Sequence, residues 1–478
     1  MLFNSSEFLV FAFIFFSIYC LLKLKSRQRQ LLVVVFSLVF YGWWNPAYIS
    51  LLVLSGVIDY VLGKKIHLAT HPRKRKVFLA ASIFSNLSVL FLFKYLNFVL
   101  SNIEAFLSGA FGLSVSLVTE VPSFFLVLPV GISFYTFQSM SYSIDIYRGQ
   151  LKPARDFLSF FTYLSMFPQL VAGPIVRAKD VLGQIESPSF GKGSLHGERE
   201  GWFYVARGLF KKLVIADNLA PYVNIYFSDF TTDGNPISWW IAASMFALQI
   251  YGDFSGYSDI AIGLGKWMGL NYPANFRHPY SAWNFREFWA RWHISLSTWF
   301  RDYVYIPLGG SKNGFRMGIF YMALTMLISG LWHGANWTFV VWGAVHALFL
   351  GFERFVGVYD LKSRYLKLGY RLVTMLGVLI AWVYFRADSV GAANEFVARM
   401  LGLEGVSSLS DFSSPLYSAF PLAILAAAVA WQQIQPKIDP SIQALKESPR
   451  LVGVYAVSLL LMALYFRGPG EQFIYFQF

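Results

Sequence analysis

His333 stands in a run of 36 residues, Met317 to Phe352, that contains no Asp, Glu, Lys or Arg. A run that long and uncharged belongs in a lipid bilayer, where an ionisable side chain is costly and is by default a functional candidate. As one helix it would be about 54 Å long, against a hydrocarbon core of ~30 Å, so it must break. Gly330 and Gly334 flank the histidine and lower the cost of non-helical backbone there. Irregular backbone at membrane depth survives only where protein covers it or it lines a cavity. His333 is therefore expected to face a pocket, with Asn336 three residues on and close enough to hold one imidazole nitrogen if the helix resumes. A structural histidine bonding across a helix interface is the equally weighted alternative.

Three other places carry groups able to do chemistry. His346 lies in the same run without a nearby glycine, which favours a structural role. His293 lies in FREFWARWHISLSTWFRDY (285 to 303), where Glu287 and Arg291 are four apart and can pair along a helix. An interfacial helix with a polar histidine is as consistent with that stretch as a catalytic one. Asp253 and Asp259, in QIYGDFSGYSDIAIG (249 to 263), sit inside an apolar span and need partners. A network with Tyr251, Ser255 and Ser258 is expected, with proton relay as the alternative.

The elements that must hold these residues are membrane helices. The chain of 478 residues is 56% hydrophobic, 19% aromatic and only 14% charged, beyond what a soluble core needs. The net charge of +13 does not indicate nucleic acid, because the Lys and Arg sit in short clusters between apolar segments, as in cytoplasmic loops of membrane proteins. One cysteine, Cys20, excludes an intrachain disulfide and a CxxC metal site, so no metal is expected. The basic cluster Lys23, Lys25, Arg27 and Arg29 follows the first apolar segment instead of preceding it. That order reads as a retained first helix, not a secretory signal.

One parity puts the basic loops on the same side. Crossings are expected within Phe8 to Leu22, twice within Leu31 to Leu62 around Asn45-Pro46, and at Val77 to Leu100, with Gly63 to Lys76 as a basic loop inside. Phe124 to Tyr147 returns. Phe157 to Val176, broken by Pro168, Gly173 and Pro174, is expected to be re-entrant. Leu209 to Phe227 and Ile237 to Gly265 follow. Lys266 to Arg316, with five Trp and seven Lys or Arg, reads as interfacial amphipathic helices. The acidic segments Ser101 to Ser123 and Arg386 to Asp411 are expected outside. Final spans near Leu372 to Phe385, Leu416 to Gln433 and Leu451 to Phe466 place both termini outside as well. The expectation is an all-α polytopic protein, one integral-membrane domain over 1–478, with roughly 11 or 12 crossings by the ~20-residue rule.

LWHGANWTF (331 to 339) and REFWARWHISLSTWFRDYVYIPLGG (286 to 310) resemble the two histidine motifs of the membrane-bound O-acyltransferase family, and in particular its bacterial branch of alginate O-acetyltransferase membrane subunits. GISFYTFQSMSYSIDIYRG (131 to 149), FPQLVAGPIVR (167 to 177), YGDFSGYSDIAIGLG (251 to 265) and FIYFQF (473 to 478) resemble that branch too. The resemblance makes His333 the invariant catalytic histidine and His293 the second. It implies a multi-pass protein of the bacterial inner membrane that acetylates a sugar hydroxyl of an exported polysaccharide, with a periplasmic SGNH-type partner; the polymer stays open. Acetyl-CoA would be the donor substrate, with no tightly bound cofactor. The basic, Trp-rich face from Lys266 to Arg316 suits its nucleotide. His333 would be the general base, since an imidazole with pKa near ~6.5 suits proton transfer at neutral pH. An acetyl-enzyme on His333 is the alternative. His293 would position the thioester or assist proton movement, and Trp332, Asn336, Arg291 and Trp292 would shape the binding pocket. The rival inside the family is D-alanyl or other acyl transfer from a carrier protein. The rival of another class is a polymer or lipid transporter, which would not depend on one histidine.

Overall fold

The computed structural model describes residues 1–192, 195–230, 234–404, 414–471 and 473–474, and among them it is built of helices and irregular connections. The last four residues of FIYFQF and the end of the segment Arg386 to Asp411 lie outside the described residues. Backbone contacts group the chain into two compact units, Met1–Gly201 with Ala261–Pro273, and Trp202–Ile260 with Ala274–Phe478.

In the first unit, α1 (Ser6–Leu21), α2 (Ser26–Gly42) and α3 (Ile49–Leu68) follow the expected order, with Pro46–Tyr48 forming a single turn at the Asn45-Pro46 break. The next helix, α4 (Pro72–Phe111), is 40 residues long, far beyond the expected span Val77 to Leu100. A five-residue π turn at Phe91–Tyr95 lets it continue. The expected basic loop Gly63 to Lys76 is almost entirely helical: only residues 69–71 lie between α3 and α4. Lys64 and Lys65 thus end one helix and Arg73 to Lys76 start the next. A carboxylate in α3, Asp59, is fully buried and accepts from Ser82 and Asn86 of α4 and from Ser139 and Ser143 of α5 (Ile132–Tyr147). Four donors replace the water that the membrane denies it. The broken apolar stretch forms two short buried helices, Phe157–Ser165 and Phe167–Leu170, followed by non-helical backbone, with Phe167 packed on Phe11, Phe15 and Phe40.

The second unit holds Asp253, Asp259, His293, His333 and His346. It contains α6 (Asp217–Ser228), the long α7 (Pro236–Trp267, which leaves the unit after Ile260), α8 (Phe285–Arg291), α9 (Ile294–Phe300), α10 (Phe315–His333), α11 (Trp337–Val356), α12 (Arg364–Arg386), α13 (Val390–Met400), α14 (Ala419–Glu447) and α15 (Pro449–Tyr465). Among the described residues five helices are long and apolar enough to cross a membrane: Pro46–Leu68, Pro72–Phe111, Phe315–His333, Trp337–Val356 and Arg364–Arg386.

The stretch Lys266 to Arg316 forms short helices with a buried and an exposed side: in α8, Phe285 and Phe288 are buried while Arg286 and Ala290 are exposed. Phe285, Phe288, Trp292 and His293 of that stretch are all at most 1% exposed, in the core of the unit. The apolar side of α8 thus faces the interior. Glu353, the residue that ends the charge-free run, fixes it there: its buried carboxylate accepts from the first backbone amides of α8, Phe285 N at 2.6 Å and Arg286 N at 3.1 Å. Helix N-termini leave such amides unpaired, and a carboxylate also suits the positive end of the helix dipole.

Candidate active site

The charge-free run does break at His333, as the turn of a two-helix hairpin. α10 ends on His333, Gly334 is extended, and Asn336 starts α11. The glycines serve close approach more than unusual backbone angles. A Cβ on Gly330 would stand 2.2 Å from the carbonyl oxygen of Phe339, and one on Gly343 would stand 2.5 Å from that of Met326. The helices touch backbone to backbone, which seals the turn and buries the His333 ring. Trp332, Trp342 and Phe385 surround that ring edge-on, with centroids at 5.0, 5.0 and 5.2 Å.

Asn336 does not hold the imidazole. Its Oδ1 caps α11 by accepting from Thr338 N at 3.1 Å, and its Nδ2 donates to the carbonyl of Asp388 at 3.0 Å. The expected contact needed one continuous helix from His333 to Asn336, and the chain instead stops and restarts between them.

His293 sits between α8 and α9 with φ 41°, a left-handed conformation costly for a side chain with a Cβ. Asn275 enforces it. The carbonyl of Asn275 accepts from Ile294 N at 2.9 Å, and its side-chain Oδ1 accepts from Ser295 N at 3.2 Å and Ser295 Oγ at 2.8 Å. The same oxygen lies 3.2 Å from His293 Nδ1. The Asn275 Nδ2 donates to Ser258 Oγ at 3.0 Å, and because the Ser295 N–H can only donate, the amide cannot be turned round. Nδ1 must therefore carry the proton, which leaves Nε2 with a lone pair. Nε2 is buried and has no hydrogen-bond partner among the described residues. Burial pushes the pKa of His293 down, to about 3, so the ring is neutral at physiological pH. Trp332 lies between the two histidines, 6.2 Å from the His293 ring and 5.0 Å from the His333 ring, centroid to centroid. Neither Asn275 nor the left-handed turn is evident from the sequence, where the available signal is two Asn and two Pro among the turn-forming residues of NYPANFRHPY (271 to 280).

The remaining candidates have structural partners. Arg291 pairs with Glu287 as its spacing predicts and also bonds Ser281 Oγ. Trp292 stacks on Phe288 at 5.7 Å and meets Trp382 at 4.8 Å, one layer behind His293. His346 accepts from Trp289 Nε1 at 3.3 Å within an aromatic cage, in keeping with a structural role.

The two aspartates of α7 are partnered, though not by the expected neighbours. Asp259 takes two bonds from Arg207, at 2.9 and 2.6 Å, and one from Lys211 at 2.7 Å. Asp253 meets Lys212 at 2.9 Å and accepts from Ile474 N at 2.6 Å. Lys211 and Lys212 belong to a π turn, Lys211–Ala216, that precedes α6. Gly252 and Gly256 let α7 press against this stretch: a Cβ on either would meet atoms of Gly208, Lys211, Lys212 or Ala216 at 2.8 to 3.4 Å. Ser258 is not part of the aspartate network and instead fixes Asn275. Asp253→Asn is expected to lower the amount of folded protein several-fold while the specific activity of what folds stays near wild type. Breaking a buried pair is strongly destabilising, at ~3–5 kcal/mol, although Lys212 keeps Asp217 at 2.8 Å. Normal abundance with lost turnover would assign Asp253 to proton relay.

A cavity of about 530 Å³ lies beside α10. Arg286, Arg301, Arg354 and Tyr359 contribute to its lining, and Met322, Met326 and Ser329 line it on successive turns of α10. The next turn on that face carries His333. Arg354 stacks over Phe315 at the start of α10, with its guanidinium 5.5 Å from the ring centroid, so the cavity runs from the basic end of the hairpin towards the histidine. Arg286 lies over Tyr359 at 4.9 Å, and Arg354 donates to Tyr305 Oη at 3.2 Å. Arg301 is paired with Asp302 through two bonds, at 2.7 and 3.2 Å, while Arg286 and Arg354 have no ion pair among the described residues and suit phosphate groups. Arg286 and Arg301 come from the segment expected to bind nucleotide, whereas Arg354 lies just beyond the far end of the charge-free run.

Residues 151–390 match the family described as MBOAT, membrane-bound O-acyltransferase family. The probable alginate O-acetylase AlgI of Pseudomonas putida is 38% identical over 433 residues, which is 90% of this chain and 86% of that protein. The peptidoglycan O-acetyltransferase of Helicobacter pylori is 34% identical over 438 residues, 85% of this chain and 81% of that one. The teichoic acid D-alanyltransferase of Bacillus subtilis is 25% identical over 267 residues, 54% of this chain and 66% of that one.

Proposed function

The chain belongs to the membrane-bound O-acyltransferase family, and from that premise we propose that it is an O-acetyltransferase that carries acetyl from cytoplasmic acetyl-CoA across the membrane to a hydroxyl of an exported polysaccharide, through a periplasmic SGNH-type partner. The relatives that cover most of the chain are named for O-acetyl transfer to alginate or peptidoglycan, which supports acetyl over D-alanyl transfer. The observation that carries the donor is the cavity linking three arginines to the turn beneath His333. Coenzyme A has phosphates at one end and a long, thin pantetheine arm at the other. The Arg286 and Arg354 guanidinium groups hold the first and the α10 face guides the second.

In this reading His333 takes the proton of the acceptor hydroxyl as its oxygen attacks the thioester carbonyl. The C–S bond breaks, and the imidazolium returns the proton to the leaving thiolate, so free CoA and an acetyl ester result. His293 has a different part. With Nδ1–H committed to Asn275, its Nε2 can only accept, so it orients a donor such as a pantetheine amide N–H or a hydroxyl and does not donate to the carbonyl. Trp332 walls the space between the two rings.

The test uses right-side-out vesicles containing the full chain and its partner. Acetyl-CoA in the lumen should support acetylation of an external acceptor, and external acetyl-CoA should not. Arg354→Gln should raise the lumenal concentration needed for half-maximal rate about tenfold, as expected for a lost charge-assisted contact, with the maximal rate kept. Equal rates from external donor would overturn the direction. An unchanged requirement in Arg354→Gln would remove the cavity as the donor site.

A further inference from the structure

A second cavity with a polar end lies in the second unit, apart from the cavity beside α10. A cleft of about 480 Å³ lies between α7, α12 and α14. Leu368, Leu372, Met375 and Leu379 form its wall on one face of α12, spaced as successive turns, and Val429 lines the opposite side. Leu368 and Leu372 are more than 60% exposed, so the cleft opens towards the space that lipid fills around a membrane helix.

One end of this apolar cleft is polar. Arg371 lines it and makes no ion pair among the described residues; its guanidinium bonds the carbonyl of Tyr280, at 3.4 Å. The Glu287 carboxylate whose field reaches it is already paired with Arg291. Gln433 Nε2 reaches the Tyr280 carbonyl too, at 3.2 Å. Beside it Gln432 is 1% exposed, lines the cleft, and has an Oε1 without a hydrogen-bond partner among the described residues. A cation with no carboxylate of its own and a buried acceptor without a donor, together at the end of an apolar cleft, call for a ligand with an anion, a hydroxyl and a hydrocarbon chain. Leu248 and Gln432 also line an adjoining cavity of about 620 Å³, whose walls are largely apolar and include Ile424, Leu459 and Met462.

We propose that this is a binding site for an anionic phospholipid with a hydroxylated head, of the phosphatidylglycerol class. Its phosphate sits on Arg371, a head-group hydroxyl donates to Gln432 Oε1, and its two chains occupy the two clefts on either side of Gln432 and Leu248. Basic pockets between membrane helices are known to take anionic heads. The site bears on catalysis through Tyr280, which lines the first cleft, donates to the carbonyl of Ala247 at 2.6 Å and packs on Trp292 at 6.0 Å, the residue before His293. Lipid in the cleft therefore braces the wall behind the left-handed turn.

The full chain, solubilised and stripped of lipid, should be titrated with phosphatidylglycerol or with phosphatidylcholine of the same chains, reading thermal unfolding and lipid adducts by native mass spectrometry. Wild type should retain one phosphatidylglycerol and gain more stability from it than from phosphatidylcholine. Arg371→Gln should bind phosphatidylglycerol about fivefold or more weakly, as expected from losing one basic contact, and bind phosphatidylcholine as wild type does. Arg371→Lys and the exposed Arg364→Gln should both keep the preference. Equal stabilisation of wild type by the two lipids would overturn the site. So would equal losses in Arg364→Gln and Arg371→Gln, which would mean general surface attraction, or a full effect from inorganic phosphate alone.

Discussion

His333→Ala is expected to abolish O-acetylation while membrane insertion and abundance stay near normal. General acid or base loss typically costs ~10² to 10⁴ in rate, and here the same imidazole both takes and returns the proton. The hairpin does not depend on that ring: α10 and α11 meet through the backbone contacts at Gly330 and Gly343, and Asn336 caps α11 without it. Removing the ring does leave a space between Trp332, Trp342 and Phe385, so His333→Gln should be made alongside to fill it. Both variants should be inactive. Acetyl ester in the polymer at clearly measurable levels, normalised to folded protein, would exclude His333 as the base. It would also revive the transporter alternative if polymer export were lost in the same variants.

His293→Ala is expected to be severely impaired as well, with a larger effect on use of the donor than on use of the acceptor. The reason lies in Nε2, a neutral acceptor that Asn275 aims and keeps deprotonated. Alanine also loses stability at φ 41°, so His293→Asn is the cleaner variant, because Asn tolerates the left-handed region better than most residues. In His293→Asn the donor concentration for half-maximal rate should rise while folded protein recovers. Wild-type donor dependence in that variant would reduce His293 to a structural element of the turn.

Much of the site is legible in the sequence because membranes make polar residues conspicuous. A stretch of 36 uncharged residues with one glycine-flanked histidine announces both its environment and its break, and the basic clusters announce one side of the membrane. The pairing of Glu287 with Arg291 is readable from spacing alone, since helix neighbours are local. Partners distant in sequence are not. Local reading gives Asp253 and Asp259 the neighbours Tyr251, Ser255 and Ser258, yet their cations come from Arg207 and a π turn that precede α7 altogether. The composition of Lys266 to Arg316 reveals an amphipathic stretch, but not that Glu353, far along the chain, caps α8.

The all-α membrane character and the family follow from the order of residues alone, and so does the choice of His333 and His293 as candidates, because composition, run length and motifs are contiguous along the chain. How those histidines differ is settled only by packing in three dimensions. His333 becomes a hairpin turn because two glycines permit backbone contact between α10 and α11. His293 becomes an acceptor because Asn275, held by Ser258 of α7, fixes its tautomer. Arg354 comes to share a cavity with Arg286 and Arg301 for the same reason. A hydrogen bond or a shared cavity depends on distances in space, and residues far apart in the chain acquire those distances only when the helices pack.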